Sequence, residues 1–381
     1  MIQKNRLLQI LTALVLVCTL TSPCWASEQT HTQIKKLQKR IEKLEQKVKG
    51  KGRESPLAQK WMKRLTLSGL LEVEGIYKSD YQDRENSQLE LATVELGVDA
   101  DIHEYVSTHV LFLYEEPTDE DIEVDEAFIT LGNPSHFPVY MTAGRQYIPF
   151  GFYKTAMISD PMTLQQAETQ ETVAQVHFEK SGVYGSVYTF NGDVDESGDN
   201  HIDNFGANLG YRTELRRDIK ADFSLGYLNN IGDTDALGGH LADNSNGTIQ
   251  DYVPGLAASS SIKFRDFTLI GEYITGLQEF EKEEIEFEGD GARVSAWNAE
   301  LDYCVDIQGR ETTWAVAYQG TAEANSLELP RDRYMASASV VLFDNNVSLS
   351  LEYAYDEDYE QSEGGSGEEA HIVTTQVAAG F

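Results

Sequence analysis

The chain has 381 residues with 30 Lys and Arg against 63 Asp and Glu, a net charge of −33 at neutral pH. A field of that sign repels nucleic acid and other polyanions and attracts cations, so nucleic acid is excluded as a partner. The charge is uneven: residues 1–26 carry +2, residues 27–64 carry 12 basic and 4 acidic side chains, and residues 65–381 hold 16 basic against 59 acidic, a net −43.

Lys4 and Arg6 precede an apolar run from Leu7 to Leu20, followed by Thr21-Ser22-Pro23-Cys24-Trp25-Ala26. This is the pattern of a secretory signal peptide over 1–26, cut after Ala26. A core of about 14 apolar residues is short of the roughly 20 a spanning helix needs. Pro23 is a poor neighbour for lipidation at Cys24. Cys18 and Cys24 leave with the signal, so Cys304 has no intramolecular disulfide partner. No later stretch is continuously apolar, so a membrane protein built from this chain must be a barrel.

Over 27–50, Ile34, Leu37, Ile41, Leu44 and Val48 follow the a/d seam of a short coiled coil, flanked by Lys35, Lys36, Lys39, Arg40, Lys43 and Lys47. A basic amphipathic helix lying on a surface fits the same residues. Gly50-Lys51-Gly52 ends the pattern, and 51–64, with Ser55-Pro56, reads as a linker.

From Leu65 the period changes to 2. Leu65, Leu67, Leu71, Val73 and Tyr77 alternate with Thr66, Ser68, Glu72 and Glu74; Trp297, Ala299, Leu301 and Tyr303 oppose Asn298, Glu300 and Asp302. Acidic residues on the second face of strand after strand point to a wet lumen. Sixteen segments are predicted, centred near Leu71, Leu96, Val110, Phe128, Ala143, Val176, Val187, Leu209, Phe223, Ser260, Gly271, Ala299, Val316, Ala338, Leu351 and Val377. Fourteen or eighteen strands fit the same pattern. Short turns alternate with longer polar connectors, and the last strand stops on Phe381. The expected fold is an all-β, antiparallel outer-membrane barrel over 65–381 of about 16 strands, wide enough to leave an aqueous channel. Both of its ends, and the N-terminal coiled coil, are expected in the periplasm.

The third outside connector breaks the alternation from Lys154 to Ala174. Either it is a surface loop or it folds inward and narrows the lumen, with Met157, Ile158, Met162 and Leu164 against the wall. In the inward case Arg145, Tyr147, Lys154, Asp160, Glu168 and Glu171 are the candidate constriction and solute-binding residues. Arg145 is expected to face the lumen or sit at a rim, since a charge facing lipid at mid-bilayer costs about 2–4 kcal/mol.

Asp125-Glu126-Ala127-Phe128-Ile129-Thr130-Leu131-Gly132, followed by Gly144-Arg145-Gln146-Tyr147-Ile148-Pro149-Phe150-Gly151, is similar to the phosphate-selective porin superfamily. The continuation from Ala156 to Leu164 and the coiled coil resemble one branch of it, the siderophore porins typified by the legiobactin receptor. The resemblance spans essentially the whole exported chain, and its sharp motifs occupy the middle third. It implies an outer-membrane barrel serving ferric-siderophore uptake without a plug domain, for which 27–64 is too short. The scattered basic residues depart from phosphate channels, because anion-selective pores need rings of Arg or Lys.

Asp193, Asp195, Ser197 and Asp199, with Gly198, follow the start of a calcium loop. Asn204 stands where the bidentate Glu belongs, and an acidic surface turn reads the same. Glu279 to Asp290, Asp356 to Glu360 and Glu368-Glu369 make very acidic outside loops, suited to solvation or to cation bridging with lipopolysaccharide. No zinc helix, nucleophile elbow or phosphate-cradling loop occurs, and His109 and His177 are isolated, so no enzyme is expected.

The expected function is an outer-membrane porin or receptor for a ferric siderophore or similar small solute. A general cation-preferring diffusion porin and an envelope-anchoring structural protein are the alternatives. No cofactor is required beyond a possible Ca²⁺ at the outside loops. The partners are outer-membrane lipid, lipopolysaccharide, the solute and further copies of the chain, as a dimer or trimer.

Overall fold

The computed structural model describes residues 64–116, 121–196, 201–343 and 345–381. The signal peptide, the coiled coil and all of the linker but Arg64 lie outside the described residues.

The strands are β1 Leu65–Ser79, β2 Glu85–His103, β3 Val106–Tyr114, β4 Glu123–Leu131, β5 Val139–Tyr147, β6 Gln170–Lys180, β7 Val183–Phe190, β8 Asn204–Arg216, β9 Ile219–Leu228, β10 Gly255–Phe264 and β11 Phe267–Gly276. After the two-residue strands β12 Glu286–Phe287 and β13 Asp290–Gly291 come β14 Ser295–Ile307, β15 Arg310–Ala322, β16 Asp332–Leu342, β17 Val347–Glu357 and β18 Glu369–Gly380. Among the described residues two α-helices, α1 Met162–Ala167 and α2 Asp235–Ser245, lie in connectors. Every strand but the β12–β13 pair belongs to one closed antiparallel barrel of sixteen, sealed where β1 pairs with β18 from Leu70↔Gly380 to Ser79↔His371. Each of the sixteen predicted centres falls inside a different barrel strand.

Alternation sorts the two faces as it must in a wall between oil and water. Outward lie Leu67, Val187, Leu209, Leu225, Leu269, Val316 and Leu351, large apolar side chains left exposed on the isolated barrel. Aromatic pairs such as Phe267–Tyr303 and Tyr318–Tyr334, with ring centroids 4.8 and 5.1 Å apart, join neighbouring strands on the same face. Inward lie Asp222, Glu272, Asn298, Glu300, Gln319 and Glu352, all buried. Buried carboxylates beside exposed leucines invert the soluble rule and identify the outer face as lipid-facing.

The expectation of a long polar connector between the first two strands is corrected. β1 and β2 run on to Ser79↔Glu85, leaving residues 80–84 as a tight turn. Asp80 holds it, accepting from the backbone of Gln82 and Arg84 and from Arg84 Nε at 2.7 Å. Beyond the lipid belt a strand has no reason to alternate, so the polar run looked like loop.

The apolar core is made of connectors rather than of sheet faces. Leu237 and Leu241 of α2 pack with Val194, Ile231, Ile249, Val253, Phe280, Ile285 and Val294, all buried, above the inner faces of β6–β11. Asp233 knots the 191–203 and 229–254 connectors together, accepting from Val194 N at 2.8 Å and Asn230 Nδ2 at 3.0 Å. Burial pushes its carboxyl up from 3.8 to about 7. A raised pKa means the folded knot favours the protonated form. Its contribution is full below the ordinary carboxylate value and is lost as pH rises through about 7. Limited proteolysis of the folded barrel should cut these connectors faster at alkaline than at mildly acidic pH. Asp233→Asn should remove that difference; an unchanged pH dependence would discount the knot.

Candidate functional site: a connector folded into the barrel

Residues 148–169, the third connector at that end of the barrel, enter the lumen. Ile148 and Phe150 are buried in the connector core at its root. Gly226 on β9 admits the chain there, because a Cβ at that position would lie 1.9 Å from the Phe150 carbonyl oxygen.

From the root the connector crosses the inner face, held by one carboxylate after another. Glu272 of β11 accepts from Phe152 N at 2.6 Å and Tyr153 N at 3.1 Å. Glu300 of β14 accepts from Thr155 Oγ1 at 2.7 Å and Ala156 N at 2.6 Å. Glu352 of β17 accepts from Ile158 N at 2.5 Å and Ser159 Oγ at 2.6 Å. There the chain turns back. Gln319 of β15 accepts from Met162 N at 3.1 Å, and Glu272 from Thr163 Oγ1 at 2.7 Å. Met157 fills the space between, packed on Ala315, Ala317, Met335 and Ala354. A connector inside a barrel has no strand partner for its N–H groups, and carboxyl oxygens supply one, at about 1.5–3 kcal/mol for each bond to a charged acceptor.

The connector lines β11–β17, its root joins Val173 of β6 and Tyr188 and Phe190 of β7 in one buried cluster, and β1–β4 face open lumen. On that side alternation turns Glu72 and Glu74 of β1, Glu95 and Asp99 of β2 and Glu126 of β4 inward. His109 stands among them, with Nδ1 2.8 Å from Asp99 and Nε2 3.8 Å from Glu126. Across the lumen Lys154 reaches Asp222 at 3.5 Å, and Arg212 Nε meets the same Oδ2 at 3.1 Å.

Of the predicted site residues, Lys154, Asp160 and Glu168 ride on this connector. Asp160 is exposed near its turn, and Gln165 Nε2 donates to its backbone oxygen at 2.8 Å. Glu171 opens β6 on the inner-face alternation of Val173 and Gln175. Arg145 pairs with Ala127 and Thr172 and so shares a face with Met141 and Ala143, the lipid-side set, close to the loop end of β5. Its guanidinium donates to Gln170, whose Nε2 donates to Asp125 at 2.5 Å, as does the Tyr147 hydroxyl at 3.0 Å. Arg145 and Tyr147 therefore form a rim network separate from the connector. Ser197 and Asp199 lie outside the described residues; Asp195 bridges Thr248, and no cluster of three metal-binding side chains occurs among the described residues.

Sequence reading missed Glu272, Glu300 and Glu352 as a group and took acidic second faces such as that of Glu300 as lining a wet lumen. The available signal was their isolation: Glu352 lies between Ser350 and Ala354 on its face, and Glu272 between Ile270 and Ile274.

No family model matches the chain. Among curated proteins it is similar to a UPF0422 protein of Coxiella burnetii, 26% identical over 313 residues, 80% of this chain and 67% of that one. It is also similar to a UPF0422 protein of Legionella pneumophila strain Lens, 27% identical over 321 residues. That match covers 77% of this chain but only 59% of the Legionella protein, so the chain spans about three fifths of that relative's length. Among solved structures it superposes on the anion-selective porin of Comamonas acidovorans (TM-score 0.58, 10% identity, 83% of this chain, 99% of that one). The outer-membrane channel DcaP of Acinetobacter baumannii follows at TM-score 0.54, with 12% identity over 83% of this chain and 97% of that one. At such identities the likeness establishes the fold alone: a porin-like β-barrel.

Removing two of the three carboxylates should free the connector. With about 1.5–3 kcal/mol lost per charged bond, each substitution shifts the seated–detached balance by at least about tenfold. Glu300→Ala with Glu352→Ala should raise single-channel conductance in planar bilayers; unchanged conductance would mean the connector does not set the bore.

Proposed function

We propose that the protein is an outer-membrane diffusion channel that favours cationic and neutral solutes. The observation that carries this is the inner face of β1–β4, where Glu72, Glu74, Glu95, Asp99 and Glu126 face open lumen with His109 the basic side chain bonded among them. The connector's carboxylates are engaged with backbone N–H groups, so this strip, not the total charge, sets the field a passing ion meets. A barrel of sixteen strands leaves room for an aqueous path even after one wall is covered. The long-loop end then faces outside and the short-turn end the periplasm.

A second reading, uptake of a ferric siderophore, draws on the sequence resemblance and on the cationic pair Lys154 and Arg212 at Asp222. An anionic chelate would meet these groups but would have to pass the acidic strip opposite. Low concentrations of such a chelate should block the current if this reading holds; indifference would favour simple diffusion.

In a KCl gradient the reversal potential should report cation selectivity, and anion selectivity would overturn the proposal. Burial above all, then Asp235 and Asp160, pushes Glu168 up to about 7. It therefore ionises and adds lumen charge as pH rises through that value. Cation selectivity should strengthen over the same range, and Glu168→Gln should flatten the rise.

A further inference from the structure

We infer that the inner wall at β5–β8 is a binding slot for an uncharged, polyhydroxylated solute of about monosaccharide size. This rests on the channel reading and adds a solute class to it. A cavity of about 300 Å³ opens there beneath the connector's root at Pro149. That is at the small end of ligand pockets, which run from about 300 to 1,000 Å³.

One side of the slot is aromatic. Tyr140 and His177, partners across β5 and β6, stack face to face with centroids 4.4 Å apart and planes 4° from parallel. The other side is Tyr184, which lies flat on β8 because residue 210 is glycine; a Cβ there would come within 2.1 Å of the ring. Flat aromatic walls cover the C–H face of a sugar as they cover other apolar surface.

Between these walls runs a chain of amides and hydroxyls. Gln146 Nε2 donates to Thr142 Oγ1 at 3.0 Å, and that oxygen meets His177 Nε2 at 2.9 Å. Gln175 Nε2 donates to Ser186 Oγ at 2.7 Å, which donates on to Asn208 Oδ1 at 2.6 Å. These bonds fix the side chains and use one end of each amide. Gln146 Oε1 and Gln175 Oε1, both acceptors, and Asn208 Nδ2, a donor, stand outside these bonds at the cavity wall. Gln146 and Gln175 are buried, at 6% and 2% exposure, so these are held groups rather than solvated surface. Hydroxyls both donate and accept, which is what such a mixed row matches.

Charge does not compete for the ligand. Arg212 lies over the Tyr184 ring at 4.9 Å and pairs with Asp222 at 3.1 Å, while the Tyr184 hydroxyl donates to the other Asp222 oxygen at 2.7 Å. Lys154 completes the group at 3.5 Å from Asp222. Glu179 at the cavity wall stands 4.0 Å from Arg212 Nη1, so two carboxylates face two cations at the lip and neither an anion nor a cation is called for.

The test is D-glucose added to single channels in planar bilayers, with glycerol at matched viscosity as the control. The expected result is a saturating fall in current with glucose and only a proportional fall with glycerol. Gln175→Ala with Asn208→Ala should raise the half-blocking concentration about tenfold, as loss of two hydrogen bonds implies. If that variant does not fold, Tyr140→Leu, which leaves the amide chain intact, should weaken the block. Equal falls for glucose and glycerol, or block unchanged in a folded variant, would overturn the slot. Failure of the channel reading is distinct, since it appears as absent current or anion selectivity before any sugar is added.

Discussion

Backbone hydrogen bonds have no alternative partner in hydrocarbon, and the rest of this molecule follows from that constraint. A sheet surrounded by lipid cannot leave an edge, so β1 must find β18 and the wall must close. Closure divides the side chains into an outer set that meets acyl chains and an inner set that meets water or other protein. The same accounting then applies within the lumen. A connector that enters it brings amide groups with no ladder to join, and Glu272, Glu300 and Glu352 act as the missing strand.

Much of the acidity on the inner wall is therefore structural, and its effects on ions depend on position. Along β11–β17 Glu272, Glu300 and Glu352 are engaged by the connector; along β1–β4 the carboxylates face solution. Two halves of one barrel with similar sequence character thus differ: on one the carboxylates hold the connector, and on the other they line open lumen. The apolar core has moved accordingly. Phe150, Leu237 and Phe280 are buried among connectors, where a soluble protein would bury its sheet faces.

The strands were legible because lipid on one side and water on the other enforce a strict period of 2, and no competing pattern imitates it over sixteen segments. Legibility ended where that contrast ended. The outer stretch of β1 and β2 is polar on both faces and reads as loop. α2 buries Leu237 and Leu241 within Asp-Ala-Leu-Gly-Gly-His-Leu-Ala-Asp, too few to mark a stripe. The latch was hidden for another reason: its donors are mainly backbone amides, which leave no trace in residue identity. Arg145 could be assigned to a lumen or a rim position from cost alone, but choosing between them required knowing which face its strand presents to Gln170.

The seam between β1 and β18 also bears on how the barrel is assembled. Thr375 Oγ1 donates to the carbonyl of Gly75, a contact 300 residues apart in the chain. Joining such distant segments carries the largest loop-closure entropy in the fold and makes assembly slow and cooperative. The inner connector is present early in the chain, yet Glu352, where it turns back, lies on the next-to-last strand. It can be fully seated only when β17 has joined the wall. The nascent barrel must therefore be wide and unlatched before it is narrow, and its bore is set in the last steps of folding.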